Sequence, residues 1–206
     1  MTTKQKYAIL LSLITVGAQL YSTVVLIIER GWLAFQYYTM DSNIFAAITS
    51  ILMIFSLLSK GSVSQKIHNL RYYSTCCVTV TFIVVIAILI PLDGLENFAS
   101  WLFEGTDFWL HTVGPLLNIA SFLFLEHECK ITKRETFLAL IPTMVYAVIA
   151  IVLNIVKVIY GPYPFLHVYE QSIFMTFVWL IIISALVYGI ALLLKFGNTK
   201  LQKNKA

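Results

Sequence analysis

The sequence predicts an all-α polytopic membrane protein: six transmembrane helices in one bundle, with both termini cytoplasmic. Three observations predict it. Of 206 residues, 59% are apolar and only 12% charged, against about 45–50% and about 25% in a soluble domain. Six stretches reach the roughly 20 apolar residues that a helix needs to cross hydrocarbon. Lys and Arg are divided very unequally between the two sets of connecting loops. The net charge of +4 therefore reports orientation in the bilayer. Nucleic acid is excluded as a partner, because no soluble segment carries a basic stripe with interleaved aromatics.

The whole chain, 1–206, reads as one transmembrane domain. The first segment, about 7–28, follows Lys4 and Lys6 as a signal peptide would. Its apolar run is too long for such a peptide and no small-x-small site precedes Glu29-Arg30, so it reads as a retained helix. The remaining segments are about 38–58, 73–92, 108–125, 136–158 and 171–194. One side of the alternating loops carries Lys4, Lys6, Lys60, Lys66, Arg71, Lys130, Lys133, Arg134, Lys195, Lys200, Lys203 and Lys205; the other carries Arg30 and Lys157. Basic residues mark the cytoplasmic side. The loop from Asp93 to Asp107 has four acids and no base, in keeping with an outward position.

Polar residues gather at the outer ends of helices two, four and six. Helix two opens with Tyr37-Tyr38-Thr39-Met40-Asp41-Ser42-Asn43, helix four with Asp107 and then His111, and helix six follows Tyr163, His167, Glu170 and Gln171. The inner ends show Lys and Arg anchors and few other polar groups; His127 and Glu128 belong to that side. Within the helices, Ser12, Thr15, Gln19 and Ser22, or Thr143, Ala147, Ala150 and Asn154, recur at helical spacing. Such stripes line packing seams and let backbones approach. Gln19 and Asn118 carry amides that need partners in hydrocarbon, and both are expected to face the interior. Pro115, one turn after His111, removes a backbone donor and on α-helical register frees the carbonyl of His111; Pro142 acts alike near the inner end of helix five. The three cysteines form neither a disulfide framework nor a zinc spacing. No metal signature and no cofactor motif occurs.

His111 is an ionisable group inside a membrane-length segment, which marks a functional site by default. Thr39 and His111 each fall about a turn inside their helices, some ~3–6 Å below the outer boundary at about 1.5 Å rise per residue. A hydroxyl with an imidazole base is a workable acyl-transfer pair, and a third group usually orients the base. Asp41, Asn118 and Glu170 are the candidates for that role, and Asn43, Tyr163 and His167 complete the polar set available to the pocket. A Thr at a helix start also serves as an N-cap, Asp41 also complements the helix dipole, and an interfacial His also serves as an anchor.

Three motifs in order, Tyr37-Tyr38-Thr39, then His111-Thr112 with Pro115, then Gly161-x-Tyr163-Pro164-Phe165-Leu166, resemble the androgen-induced protein and androgen-dependent TFPI-regulating protein family and its bacterial six-helix relatives. The resemblance covers about residues 7–194. It implies a multi-pass threonine hydrolase cleaving fatty acid esters of hydroxy fatty acids, with Thr39 and His111 essential. The expected partners are the bilayer and a lipid or fatty acyl ester substrate, and compact loops fit a bacterial plasma membrane. Two other classes stand beside the hydrolase. A small-solute or lipid transporter would suit three helices starting on each side, although the two halves show no similarity and midplane charges are missing. A non-catalytic lipid-binding protein would use the same outer pocket.

Overall fold

A computed structural model of the chain describes residues 1–126 and 129–203. His127, Glu128 and Lys205, assigned above to the cytoplasmic side, lie outside the described residues. The molecule is 84% helical, and no strand occurs among the described residues. Five helices are long and apolar enough to cross a membrane: Thr3–Gln36, Tyr38–Lys60, Gln65–Asp93, Lys133–Ile155 and Ile173–Gln202. Such a set is that of a multi-pass membrane protein.

The first helix, α1 (Thr3–Arg30), begins at a capping box in which the Thr2 hydroxyl accepts from Gln5 N and the Gln5 side chain accepts from Thr2 N. It runs into a 3₁₀ turn, Gly31–Gln36, and then α2 (Tyr38–Lys60). The third helix, α3 (Gln65–Val84), starts at Gln65 rather than Tyr73, because Ser64 caps it through Ile67 N and its first two turns are polar. A π-turn, Val85–Leu89, and a last turn, Ile90–Asp93, extend it. The expected loop folds back as a short helix, α4 (Phe98–Phe103). Residues 105–124, here α5, are helical throughout but divided by a π-turn at Phe108–Val113. The span Lys133–Ile155 is interrupted just before Pro142 into two segments, α6 (Lys133–Leu138) and α7 (Ile141–Ile155), with the proline in the first turn of α7 where its missing N–H costs nothing. The chain ends in α8 (Ile173–Lys203).

Helix α1 is amphipathic in the opposite sense to a helix of a soluble protein. It buries Ala8, Ser12, Thr15, Gln19 and Ser22, and exposes Leu10, Leu13, Leu20 and Val24. Helix α7 likewise buries Thr143, Ala147, Ala150 and Asn154 and exposes Val145, Val148, Ile149 and Val152. Apolar surface outside and polar side chains inside minimise free energy only in an apolar solvent. The bundle core joins Tyr72, Phe122, Val187 and Ala191, with the Tyr72 hydroxyl donating to the Ala191 carbonyl at 2.7 Å.

The end that carries residues 2–5, 61–65 and 129–132 is not a simple array of anchors, contrary to the sequence reading. Arg71 is 1% exposed. Its guanidinium donates to Glu126 Oε1 at 2.7 Å, Ser50 Oγ at 2.8 Å and Asn118 Oδ1 at 2.9 Å. Ser121 Oγ donates to Glu126 Oε1, and Asn198 Nδ2 donates to the carbonyls of Phe122 and Glu126. Burial pushes the Glu126 carboxyl up, but the Arg71 guanidinium, with its hydrogen bonds and that of Ser121, outweighs it and holds the carboxyl below its ordinary range. The buried charge pair thus joins α2, α3 and α5, and Asn198 ties α8 to the backbone beside it.

Candidate functional site

The opposite end gathers the 3₁₀ turn, the 93–107 segment and the 156–172 loop around one cavity of about 280 Å³. Thr39 and His111 both line it. Both residues singled out from the sequence therefore line a single cavity, and three local devices place them.

The first places Thr39. Tyr37 is the N-cap of α2 and offers no side-chain bond, so Thr39 is not the cap. The Tyr163 hydroxyl takes that role instead, accepting from Thr39 N at 3.2 Å and lying 3.4 Å from Thr39 Oγ1. Tyr163 stacks on Phe165 at 5.3 Å between ring centres and meets Tyr37 edge-on. Its loop turns at Gly161, whose φ of 96° is open to glycine and strained for other residues. Asn154 fixes the loop by donating to the Ile159 and Tyr160 carbonyls and accepting from Val168 N.

The second places His111. Pro115 supplies no N–H, and the helix widens into a π-turn just before it, with Gly114 N donating to the Trp109 carbonyl. The carbonyl facing Pro115 in that register is Leu110's, one residue before the one expected. Asn43 Nδ2 donates to it at 3.0 Å, and to the Thr39 carbonyl at 2.9 Å. One amide thus ties the backbone beside each member of the pair. Gly114 makes room: a Cβ there would meet Asn43 Oδ1 at 2.7 Å. The same device recurs in α3, where the Val85–Leu89 π-turn precedes Pro91 and brings Leu89 to the cavity.

The third orients the imidazole. His111 Nδ1 lies 3.0 Å from the Trp101 carbonyl and 3.7 Å from Asp107 Oδ1, both acceptors. The neutral ring therefore carries its proton on Nδ1, which leaves Nε2 as the basic nitrogen. Trp101 also stacks on the ring at 5.6 Å, and its indole N–H donates to Asp93 at 2.8 Å. Thr112 Oγ1 donates to the Leu102 carbonyl, which docks α4 against α5.

Asn118, Asp41, His167 and Glu170 do not line this cavity. Asn118 belongs to the Arg71 network, two turns further along α5. Asp41 lines a separate cavity. His167 and Glu170 brace their loop: His167 bonds Glu170 and the Gly161 carbonyl, and Tyr160 donates to Glu170. The Tyr160 hydroxyl, and then His167, hold the Glu170 carboxyl below its ordinary range. Trp101, Asp93 and Arg30 of the cavity were missed by sequence reasoning. Asp107 had a readable signal, four residues before His111 on one helical face.

Thr39, Leu89 and Tyr163 also line a second space, a narrow apolar slot of about 50 Å³ between α2, α3, α7 and α8. Its walls include Val84, Ile151, Phe165 and Trp179. Thr39 therefore stands where the His111 cavity, which has a few polar groups, meets a largely apolar slot. Fold and cavities together define a helical, multi-pass membrane protein with a His- and Thr-lined cavity at one end. Compared with protein-family models, curated proteins and solved structures, the chain finds no match.

Proposed function

We propose that this chain is a multi-pass membrane hydrolase of fatty acyl esters, with Thr39 as nucleophile and His111 as general base. The observation that carries the reading is the position of Thr39 at the junction of the His111 cavity and the apolar slot. An ester carbonyl at Thr39 would send the first carbons of its acyl chain into the slot and its alcohol portion toward His111. Esters of hydroxy fatty acids, the substrates implied by the family resemblance, also carry a carboxylate, and Arg30 in the same lining supplies a cation for it.

His111 Nε2 takes the Thr39 hydroxyl proton as Oγ1 attacks the carbonyl carbon. The Tyr163 hydroxyl, which accepts from Thr39 N, keeps its own proton to donate to the developing oxyanion. Collapse breaks the bond to the alcohol oxygen, which receives the proton from His111, and leaves acyl-Thr39. Water, deprotonated by His111, then attacks that ester; as the bond to Oγ1 breaks, His111 returns the proton to Thr39 and the fatty acid is released. Residues 105–124 make the sixth crossing in this reading. The Lys and Arg bias favours a site at the outer leaflet and cytoplasmic termini, and the compact loops fit a bacterial plasma membrane.

The test is hydrolysis of a panel of fatty acyl esters by detergent-purified protein, with Thr39→Ala and His111→Ala in parallel. Activity that falls at least about 10²-fold in both variants, about 2.7 kcal/mol of barrier, with melting temperatures kept, is the expected result. Full activity in Thr39→Ala overturns the assignment. A parent that turns over no ester and releases an intact co-purified lipid would make the cavity a binding site.

A further inference from the structure

Thr39 and Asp41 are two residues apart, about 200° around the helix, and they face different spaces. Asp41 lines a cavity of about 270 Å³ between α2, α3 and α7. Four aromatic side chains wall it: Phe35, Tyr38, Phe45 and Tyr146. The protein already uses both phenol hydroxyls. Tyr38 bonds Thr143 at 2.7 Å, and Tyr146 donates to the Gln36 carbonyl at 2.7 Å. The two rings meet edge-on at 5.0 Å. The rings are thereby fixed as walls of the cavity.

Asp41 makes no side-chain hydrogen bond and no ion pair among the described residues, and no Lys, Arg or His lines the cavity. A carboxylate among aromatic walls without a counter-charge is costly. The dipole of α2 eases an acid in its first turn, but it does not supply a cation to an aromatic-walled cavity. Val145 and Ile149, both about half exposed, form the wall on the apolar flank of α7. The cavity thus lies beside the surface that faces lipid. Aromatic faces attract ammonium ions, and more strongly where water is excluded.

We infer that this cavity binds a cationic amphiphile from the bilayer, a single-chain alkylammonium whose head group pairs with Asp41 among the aromatic rings. Its chain lies along Val145, Ile149 and Leu153. The site is independent of Thr39 and His111 and needs no turnover there.

The test uses the purified full-length chain in a neutral maltoside. Thermal unfolding is followed while dodecylamine, dodecanol or dodecanoate is titrated in. The expected result is a saturable rise in melting temperature with dodecylamine alone. Its midpoint should move about tenfold higher in Asp41→Asn and stay near the parent's in Asp41→Glu. An equal rise with dodecanol, or an unchanged midpoint in Asp41→Asn, overturns the inference. Should Asp41→Asn not fold, Ala150→Leu narrows the same cavity from its α7 wall. Dodecylamine must then lose its saturable effect, and a persistent effect refutes the site.

Discussion

Replacing Glu126 by Gln should be among the most damaging single changes outside the site. The side chains of Arg71 and Glu126 are 1% and 5% exposed. Arg71 reaches the carboxylate from Nε at 3.1 Å and from Nη2 at 2.7 Å. The amide keeps the shape and removes the charge, so a guanidinium stays buried with neutral acceptors only. Removing one partner of a buried pair costs about 3–5 kcal/mol. Ser50 and Asn118 still accept from Arg71, which places the expected loss near about 3 kcal/mol at the low end of that range. For a chain of this size that is roughly 6–12 °C in melting temperature. Arg71→Met should lose a similar amount. The double variant should lose about 2 kcal/mol less than the sum, because neither charge is then orphaned. Denaturant titration in maltoside micelles measures all three. Losses that add within about 0.5 kcal/mol would refute the pairing argument. The pH dependence has a fixed sign. Glu126 is held below its ordinary 4.5, so its contribution is present above that value and fades as pH falls through the lower folded-state value. The parent should thus lose stability on acidification below about pH 4.5 more steeply than Glu126→Gln does.

Two further predictions concern the backbone tie between the candidate pair. Asn43→Ala leaves the Leu110 carbonyl, opposite Pro115, without a donor; a loss of about 1–3 kcal/mol in stability and a fall in ester turnover larger than any change in KM should follow, measured by micellar denaturation and steady-state kinetics. Gly114→Ala puts a Cβ 2.7 Å from Asn43 Oδ1 and 2.9 Å from the Trp109 carbonyl; overpacking should cost about 1–3 kcal/mol, and an unchanged melting temperature would show that α2 and α5 are not in tight contact there.

The helices, their lipid-facing and interior-facing stripes, and the polar residues at the His111 end could be read from the sequence; the buried Arg71–Glu126 network at the other end could not. Ser12, Thr15, Gln19 and Ser22 fall on the buried face of α1, because spacing of 3.6 residues per turn is a local property. Gln19 and Asn118 are buried as expected, because an unpaired amide is worse in hydrocarbon than in a bundle. The place of Thr39 and His111 at one cavity also followed from local reasoning, since both lie near the same ends of their helices. Hydropathy misplaced the start of α3, because Lys66, His68 and Arg71 lower the average without ending the helix.

Partners distant in the chain belong to the tertiary structure. Arg71 reads as a membrane-edge anchor until packing brings Glu126, 55 residues away, against it. Asn118 shares a helix with His111 yet serves Arg71, and the group that fixes the imidazole is a main-chain carbonyl, which no side-chain pattern reveals. Asp41, beside Thr39 in sequence, faces a different cavity because two residues turn a helix by more than half a revolution. Sequence periodicity determined which side chains turn inward; only the packing of the helices decided which of them meet, because a hydrogen bond or ion pair depends on ångström distances between segments that the chain leaves far apart.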